Sequence, residues 1–318
     1  MRQGKVEKYI REKIDKNGAI LLSLIDPDKQ PFEEGAKVAE ACCDSGADII
    51  LIGGSLGAQG MILDKTVKMI RERVNVPMVL FNGHVTPFAD ALYFMYIMNS
   101  RDTYWLSTGQ IEVAPAVKKM GIEPIPTGYI ILEPGRTVGW LSNANLIPRN
   151  KPDIAAATAL ASEYMGARLV ITDSGSGAET PAPLELIRAV KSQLSVPYFY
   201  AGGCRTAEQA RDIVKAGADG IHVGTAFEID DMSKLREKVT SMSKSIRAAG
   251  RERLKNPIKT GQEHQFLPMI RVPRWFRSFS KERLDAKLKE LQRRGEEKKG
   301  KKGQEKNNPV AHAGPDKD

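Results

Sequence analysis

Glycine-rich turns follow three neighbouring apolar runs in the second half of the chain. They are Gly202-Gly203, Gly224-Thr225 and the segment DSGSGAE at 173–179. Because glycine has no Cβ, each turn can bring backbone N–H groups close to an anion. A helix that begins at such a turn adds the positive end of its dipole. Three such turns in succession predict a phosphate-binding site; alternatively, the glycines only connect strands to helices.

A carboxylate ends the first apolar run, in the segment LIDPDKQPF. Asp26 lies at the carboxyl end of this run, and Ser55 follows the second run in the segment GGS. Magnesium takes one or two ligands from such a protein site and completes its shell with phosphate oxygens and water. Asp26 and Ser55 are therefore candidate magnesium ligands. An ordinary Asp-Pro-Asp turn explains Asp26 equally well.

Eight short apolar runs could supply the strands that position these residues. They are near-continuous rather than alternating, as in parallel sheets covered on both faces. The runs are 19–25, 48–53, 77–82, 103–107, 123–131, 168–173, 197–201 and 220–223. Eight βα units in about 240 residues predict an α/β fold, the (β/α)8 TIM barrel, which gathers the strand ends at one rim. A doubly wound open sheet is the alternative.

Aromatic side chains are concentrated near the middle of the chain. We interpret the run ALYFMYIM at 91–98 as a buried helix. With Tyr104 and Trp105 it could line an apolar slot, although plain core packing is the more common role of such a stripe. Trp140 lies in a long, turn-rich segment at 134–152 and is a candidate lid over the site.

The positive charge is concentrated at the carboxyl-terminal end. The net charge is +9, and residues 249–318, with 19 Lys and Arg against 10 Asp and Glu, account for all of it. We predict a barrel domain at 1–248 and a basic C-terminal extension at 249–318, helical at about 280–294 and disordered at its end. The extension suits an anionic membrane surface or a solvated appendage. Nucleic acid is the less favoured partner, because the barrel itself has no net charge.

Cysteine content and hydropathy bear on the compartment. Three cysteines without a spaced, even framework indicate a reducing environment. The amino-terminal segment lacks the apolar core of a signal peptide, and no apolar run approaches the ~18 residues of a membrane span. We expect a cytoplasmic protein, with peripheral membrane contact through the basic extension as an option.

Several segments together resemble one known family, the geranylgeranylglyceryl phosphate synthases, with the related heptaprenylglyceryl phosphate synthases. The resemblance runs in order through residues 10–230. Its segments are LIDPDK (24–29), GGS (53–55), NGHVTPFADALYFM (82–95), GIEPIPTGYIILEPGRTVGW (121–140), IPRNKPDIAAA (147–157), SGSGAETP (174–181), AGGCRTAEQA (201–210) and VGTAFE (223–228). The segments at 121–140 and 147–157 are the most discriminating.

This resemblance implies a prenyltransferase. The enzyme would join sn-glycerol 1-phosphate to geranylgeranyl diphosphate, release pyrophosphate and form the first ether bond of archaeal membrane lipids. Mg²⁺ would be the cofactor, held by Asp26 and Ser55, and we expect a homo-oligomer. Asp173 would be the general base. The residues implied to hold glycerol phosphate are Thr172, Asp173, Ser174, Gly175, Ser176, Gly177, Gly202, Gly203, Gly224 and Thr225.

The chain departs from the family motif YLEAGSG at two positions. Ile171 stands where a tyrosine is expected, and Asp173 stands where a glutamate is expected. Aspartate is one methylene shorter, and a phenol donor is lost, so rate and substrate preference are in question. His84, in FNGH where the family has FPGS, could compensate. A non-catalytic phosphate-binding barrel and an enzyme of soluble sugar phosphates are the alternatives.

Overall fold

Eight parallel strands form a closed barrel in the computed structural model, which describes residues 3–54, 57, 59–81 and 84–258. Each strand pairs with the next, and β1 also pairs with β8. The strands are β1 (Ile20–Ile25), β2 (Ile49–Ile52), β3 (Met78–Leu80), β4 (Ala91–Ile97), β5 (Glu123–Ile131), β6 (Leu169–Asp173), β7 (Tyr198–Ala201) and β8 (Gly220–Val223). The predicted (β/α)8 TIM barrel is confirmed, and the open sheet is excluded.

Helices surround this barrel. They are α1 (Lys5–Asn17), α2 (Glu33–Asp44), α3 (Gly60–Arg71), α4 (Gly109–Met120), α5 (Arg136–Leu141), α6 (Pro152–Tyr164), α7 (Leu184–Gln193), α8 (Ala207–Ala216) and α9 (Met232–Lys255). A π-helical turn at Tyr104–Thr108 precedes α4. One buried apolar layer fills the barrel, and a second lies between strands and helices. Within the described ranges, no helix has the length and apolar character needed to cross a membrane.

Helix α1 closes the amino-terminal end of the barrel. Val6 and Ile10 pack into the apolar layer inside the barrel. The carboxylate of Glu123, at the start of β5, accepts hydrogen bonds of 2.7 and 2.9 Å from the backbone N–H groups of Val6 and Glu7. Glu7 in turn pairs with Arg168 at 2.8 Å, just before β6. Helix α1 therefore covers the end at which the strands begin, and the candidate site residues lie at the opposite end, where the strands terminate.

Two of the predicted elements are wrong in type. The run at 91–98 is not a helix but contains strand β4, and the run at 103–107 is not a strand but overlaps the π-helical turn. In β4, Tyr93 packs inside the barrel while the next residue, Phe94, packs outside it. A strand buried on both faces is continuously apolar, so periodicity alone does not separate it from a buried helix.

The predicted domain boundary at 248 falls inside α9. Ala249 is buried, and the guanidinium of Arg253 lies 2.6 Å from the carboxylate of Asp219 at the start of β8. The last two turns of α9 therefore belong to the barrel, because their burial and ion pairing depend on it. Residues 259–318, with the predicted helix and disordered end of the extension, lie outside the described residues.

Candidate active site

A cavity of about 350 Å³ opens at the carboxyl ends of the strands. Asp26, Asp173 and the turns after β6, β7 and β8 line its polar end. Its apolar end lies beside β4, the π-helical turn and α4, where Phe94, Trp105 and Val113 contribute to the wall. The same cavity thus contains carboxylates, small-residue turns and an apolar slot.

The three small-residue turns converge at the polar end. The hydroxyls of Ser176 and Thr225 lie 3.1 Å apart, which joins the turn after β6 to the turn after β8. A Cβ on Gly202 would lie 2.9 Å from the backbone nitrogen of Ser174, so the turns after β6 and β7 are in contact. Gly202 and Gly203 also have φ of 92° and 73°, a region that favours glycine. The backbone of these turns can therefore approach a bound anion closely.

Seven of the ten predicted phosphate ligands line this cavity. They are Asp173, Ser176, Gly177, Gly202, Gly203, Gly224 and Thr225. The other three, Thr172, Ser174 and Gly175, do not. The hydroxyl of Thr172 lies 2.6 Å from that of Tyr198, and the hydroxyl of Ser174 lies 3.1 Å from that of Tyr200. Because side chains alternate along a strand, Thr172 and Ser174 point outward, away from the predicted phosphate site.

The Asp173 carboxylate is buried and hydrogen-bonded through both oxygens. The phenol of Tyr129 donates to Oδ2 at 2.5 Å, and the backbone N–H of Gly175 donates to Oδ1 at 2.6 Å. Burial raises the pKa of Asp173, and these two hydrogen bonds oppose the rise. A carboxylate with a raised pKa binds a proton more readily near neutral pH, as a general base requires.

Tyr129 is a candidate site residue that the sequence analysis missed. It lies on β5 directly opposite Ile171 of β6. A phenol thus lies beside position 171 on the adjacent strand, in a segment that the family resemblance already includes. Burial, followed by the charge of Asp173, raises the pKa of Tyr129 well above its usual value, so this phenol remains a donor. The sequence feature that could have identified Tyr129 is its position in the discriminating segment 121–140.

His222 is a second site residue that the sequence analysis missed. It lies on β8, is 5% exposed and lines the floor of the cavity. Its Nε2 lies 3.3 Å from the hydroxyl of Tyr93, and its buried Nδ1 has no hydrogen-bond partner among the described residues. The rings of Phe81 and Phe199 pack edge-on against it. Burial lowers the pKa of His222 to about 3, so the imidazole is neutral at physiological pH.

The buried His222 should make the fold acid-sensitive. The unfolded chain protonates this histidine near pH 6.5 and the folded chain does not, so stability is lost as the pH falls from about 6.5 towards 3. By pH 5 the loss should be about 2 kcal/mol. Urea unfolding from pH 8 to pH 5 should therefore show that the wild type loses stability relative to His222→Gln as the pH falls.

Asp26 and Asp173 act in the opposite direction, since burial raises the pKa of both carboxyls. The difference in unfolding free energy between the wild type and His222→Gln at each pH therefore isolates the contribution of His222. Parallel profiles would contradict the prediction.

Asp26 is the candidate magnesium ligand that the structure describes. It is half-buried at the cavity wall, and one of its oxygens accepts a 3.2 Å hydrogen bond from the backbone N–H of Asp28. Burial raises the pKa of Asp26, and the charge of Lys29, which pairs with Glu228 at 2.7 Å, opposes that rise. The described residues contain no cluster of three or more His, Cys, Asp or Glu side chains that could hold a metal. A lone carboxylate fits magnesium, which draws most of its ligands from substrate phosphates and water. Ser55 lies outside the described residues.

Trp140 is not placed as a lid. Its side chain is 82% exposed and does not line the cavity, whereas Val138 and Leu141 of the same short helix do. Helix α5 therefore presents its smaller aliphatic side chains to the cavity and turns Trp140 to the outside. His84 lines the cavity, and its suggested compensating role stays a prediction.

Comparison with known proteins identifies the family. A family model described as the PcrB family matches residues 9–242. The chain belongs to the PcrB family. A geranylgeranylglyceryl phosphate synthase from Pyrococcus horikoshii is 47% identical over 231 residues, which cover 72% of this chain and 91% of that protein. One from Methanosarcina acetivorans is 45% identical over 245 residues, covering 76% of this chain and 99% of that protein.

The architecture agrees with this membership. The crystal structure of (S)-3-O-geranylgeranylglyceryl phosphate synthase from Thermoplasma acidophilum, in complex with sn-glycerol-1-phosphate, matches with a TM-score of 0.74 and 33% identity. The match covers 78% of this chain and all of that one. The family resemblance predicted from the sequence is confirmed, and so is the expectation that this PcrB-family chain is a prenyltransferase.

Proposed function

We propose that this PcrB-family enzyme joins the free hydroxyl of sn-glycerol 1-phosphate to geranylgeranyl diphosphate, with Mg²⁺ as cofactor, forming geranylgeranylglyceryl phosphate and pyrophosphate. The observation that carries the proposal is the cavity itself, in which an anion-binding end and an apolar slot meet at Asp173 and Asp26. The names of the relatives and the ligand of the Thermoplasma acidophilum structure support the same substrates.

The polar end of the cavity positions the acceptor substrate. Backbone N–H groups at Gly202, Gly203 and Gly224 bind its phosphate, and the paired hydroxyls of Ser176 and Thr225 add donors. Holding the phosphate there directs the glycerol hydroxyls towards the centre of the barrel, where Asp173 lies. This orientation accelerates the reaction, because the two substrates are held in the geometry in which they react.

The reaction breaks one C–O bond and forms another. The allylic carbon leaves the diphosphate with the bonding electrons going to oxygen, and the glycerol oxygen supplies the pair for the new ether bond. Asp173 accepts the proton that the glycerol hydroxyl loses, since its raised pKa suits it to that task. Tyr129 holds the carboxylate in place through its 2.5 Å hydrogen bond.

Asp26 and the apolar slot serve the donor substrate. Magnesium bound at Asp26, with Ser55 as the second proposed ligand, would neutralise the charge that develops on the departing pyrophosphate. Phe94, Met95 and Trp105 of the slot wall suit a prenyl chain, whose burial contributes free energy in proportion to its apolar area. These side chains also keep water away from the allylic carbon.

Product formation is the direct test. Radiolabelled sn-glycerol 1-phosphate, geranylgeranyl diphosphate and Mg²⁺ incubated with the full-length protein should give an organic-extractable radioactive product and one pyrophosphate per turnover. Omitting magnesium or adding EDTA should stop the reaction. If label stays in the aqueous phase while the protein still binds glycerol phosphate, the chain is a non-catalytic phosphate-binding barrel and the proposal fails.

A further inference from the structure

The charge of the cavity wall poses a problem for an anionic substrate. The acidic side chains that line the cavity, Asp26 and Asp173, repel a phosphate dianion. Among the described residues, Arg205 is the one Lys or Arg that lines it. Magnesium at Asp26 would serve the diphosphate of the donor substrate, so a cation beside the turns that bind the acceptor phosphate makes a separate electrostatic contribution.

We propose that Arg205 binds the phosphate of the substrate and supplies the positive charge for its recognition. This inference rests on the proposed function for the identity of the ligand, and it adds a side chain to a site otherwise made of backbone groups and hydroxyls. Arg205 directly follows the Gly202–Cys204 turn and precedes α8. It therefore stands beside two of the three turns that converge on the anion.

The guanidinium of Arg205 has capacity for an anion. Its Nη2 donates to the backbone carbonyls of Gly177 and Ala178 at 3.4 and 3.2 Å. Within the described ranges, no carboxylate forms an ion pair with it at 4.0 Å or less. A guanidinium has five N–H donors in a rigid fork, so these contacts leave donors for phosphate oxygens.

The backbone of Arg205 is held firmly. Its N–H donates to the side chain of Gln209 at 2.8 Å, within the capping box that Thr206 and Gln209 form at the start of α8. The side chain therefore leaves from a fixed point, and its contacts with the turn after β6 aim it along the cavity rim. Charge, donors and position are thus prearranged for an anion at these turns.

A purely structural role for Arg205 would be to brace the turn after β6, and the chain contains a matched control for this. Arg136 at the start of α5 also donates to the carbonyl of Gly177, at 3.2 Å, but it does not line the cavity. If bracing is what matters, Arg136→Gln and Arg205→Gln should have similar effects. If charge at the anion matters, only Arg205→Gln should weaken phosphate binding.

The test is calorimetric titration of the full-length protein with inorganic phosphate and with sn-glycerol 1-phosphate. Arg205→Gln should raise both dissociation constants about 10- to 100-fold, as expected for a lost charge-assisted contact. Arg136→Gln should change them less than about 3-fold, within the range of weak exposed contacts. Arg205→Lys should lie between, because lysine keeps the charge and loses the fork. Binding to the wild type should also weaken with salt more steeply than binding to Arg205→Gln.

Equal, small effects of Arg205→Gln and Arg136→Gln would overturn the inference. Circular dichroism of each variant checks that its fold is intact. Inorganic phosphate needs no prenyl donor, so its binding reports on Arg205 even if no lipid product forms. If product forms but phosphate binding is unchanged in Arg205→Gln, the inference is refuted and the proposed function stands. If no product forms but Arg205→Gln weakens phosphate binding, the proposed function is refuted and the inference stands.

Discussion

Asp173→Asn should lower the rate of ether-bond formation by about 10²- to 10⁴-fold, the range expected for loss of a general base. The amide has nearly the same shape and can still accept a hydrogen bond from Gly175 or Tyr129, so the architecture should be retained. The proton of the glycerol hydroxyl, however, would have no acceptor. Single-turnover measurements with labelled sn-glycerol 1-phosphate isolate the chemical step from product release.

Stability gives an independent reading of the same variant. Burial raises the pKa of Asp173, so the unfolded chain loses this proton before the folded chain does as the pH rises. The contribution of Asp173 to wild-type stability should therefore decline as the pH rises from about 4 through its raised folded pKa, in the direction opposite to the contribution of His222. Asp173→Asn should lack that decline and be no less stable than the wild type at pH 8. A large stability loss would mean that lost activity reflects misfolding.

Two further variants sharpen the assignment of Asp173. Ser174→Ala changes the adjacent side chain, which bonds to Tyr200 on the outer face of the barrel, and should leave the rate within about 3-fold of wild type. Asp173→Glu restores a carboxylate and should recover more activity than Asp173→Asn. An asparagine variant that turns over at the wild-type rate would remove Asp173 from the mechanism.

Asp26→Asn should reduce magnesium-dependent turnover about 10³-fold, since a bound cation contributes several kcal/mol to stabilising a phosphoryl leaving group. The substitution preserves the acceptor for the backbone N–H of Asp28, and with it the turn after β1. What it removes is the charge that the cation needs. Steady-state rates over a wide range of Mg²⁺ concentration should show an activation curve displaced to much higher metal concentration.

Asp28→Asn is the matched control for Asp26→Asn. It changes the same residue type two positions further on, at an exposed side chain that does not line the cavity. Its magnesium dependence should equal that of the wild type. Binding of sn-glycerol 1-phosphate without metal should not weaken in Asp26→Asn, because the proposed phosphate site lies at the turns after β6, β7 and β8. An unchanged activation curve in Asp26→Asn would show that the cation is held elsewhere.

The sequence by itself determined the barrel and the rim on which the site lies. Seven of the eight predicted strand runs contain observed strands, and the small-residue turns fall at their carboxyl ends, where Gly202 and Gly203 have the positive φ that favours glycine. The position of Asp26 at the same rim is likewise predicted from the sequence, since this residue directly follows an apolar run. These features depend on residues that are close together in the sequence, so short segments are enough to predict them.

Only the tertiary structure decided which side chains meet. Thr172 and Ser174 belong to the same motif as Asp173, yet strand alternation turns them to the outer layer and leaves Asp173 inside. The pairing of Tyr129 with Asp173 depends on the register of β5 against β6, which brings together residues 44 positions apart in the chain. Which face of each strand points inward, and what lies opposite, is set by barrel closure, and short segments do not encode it.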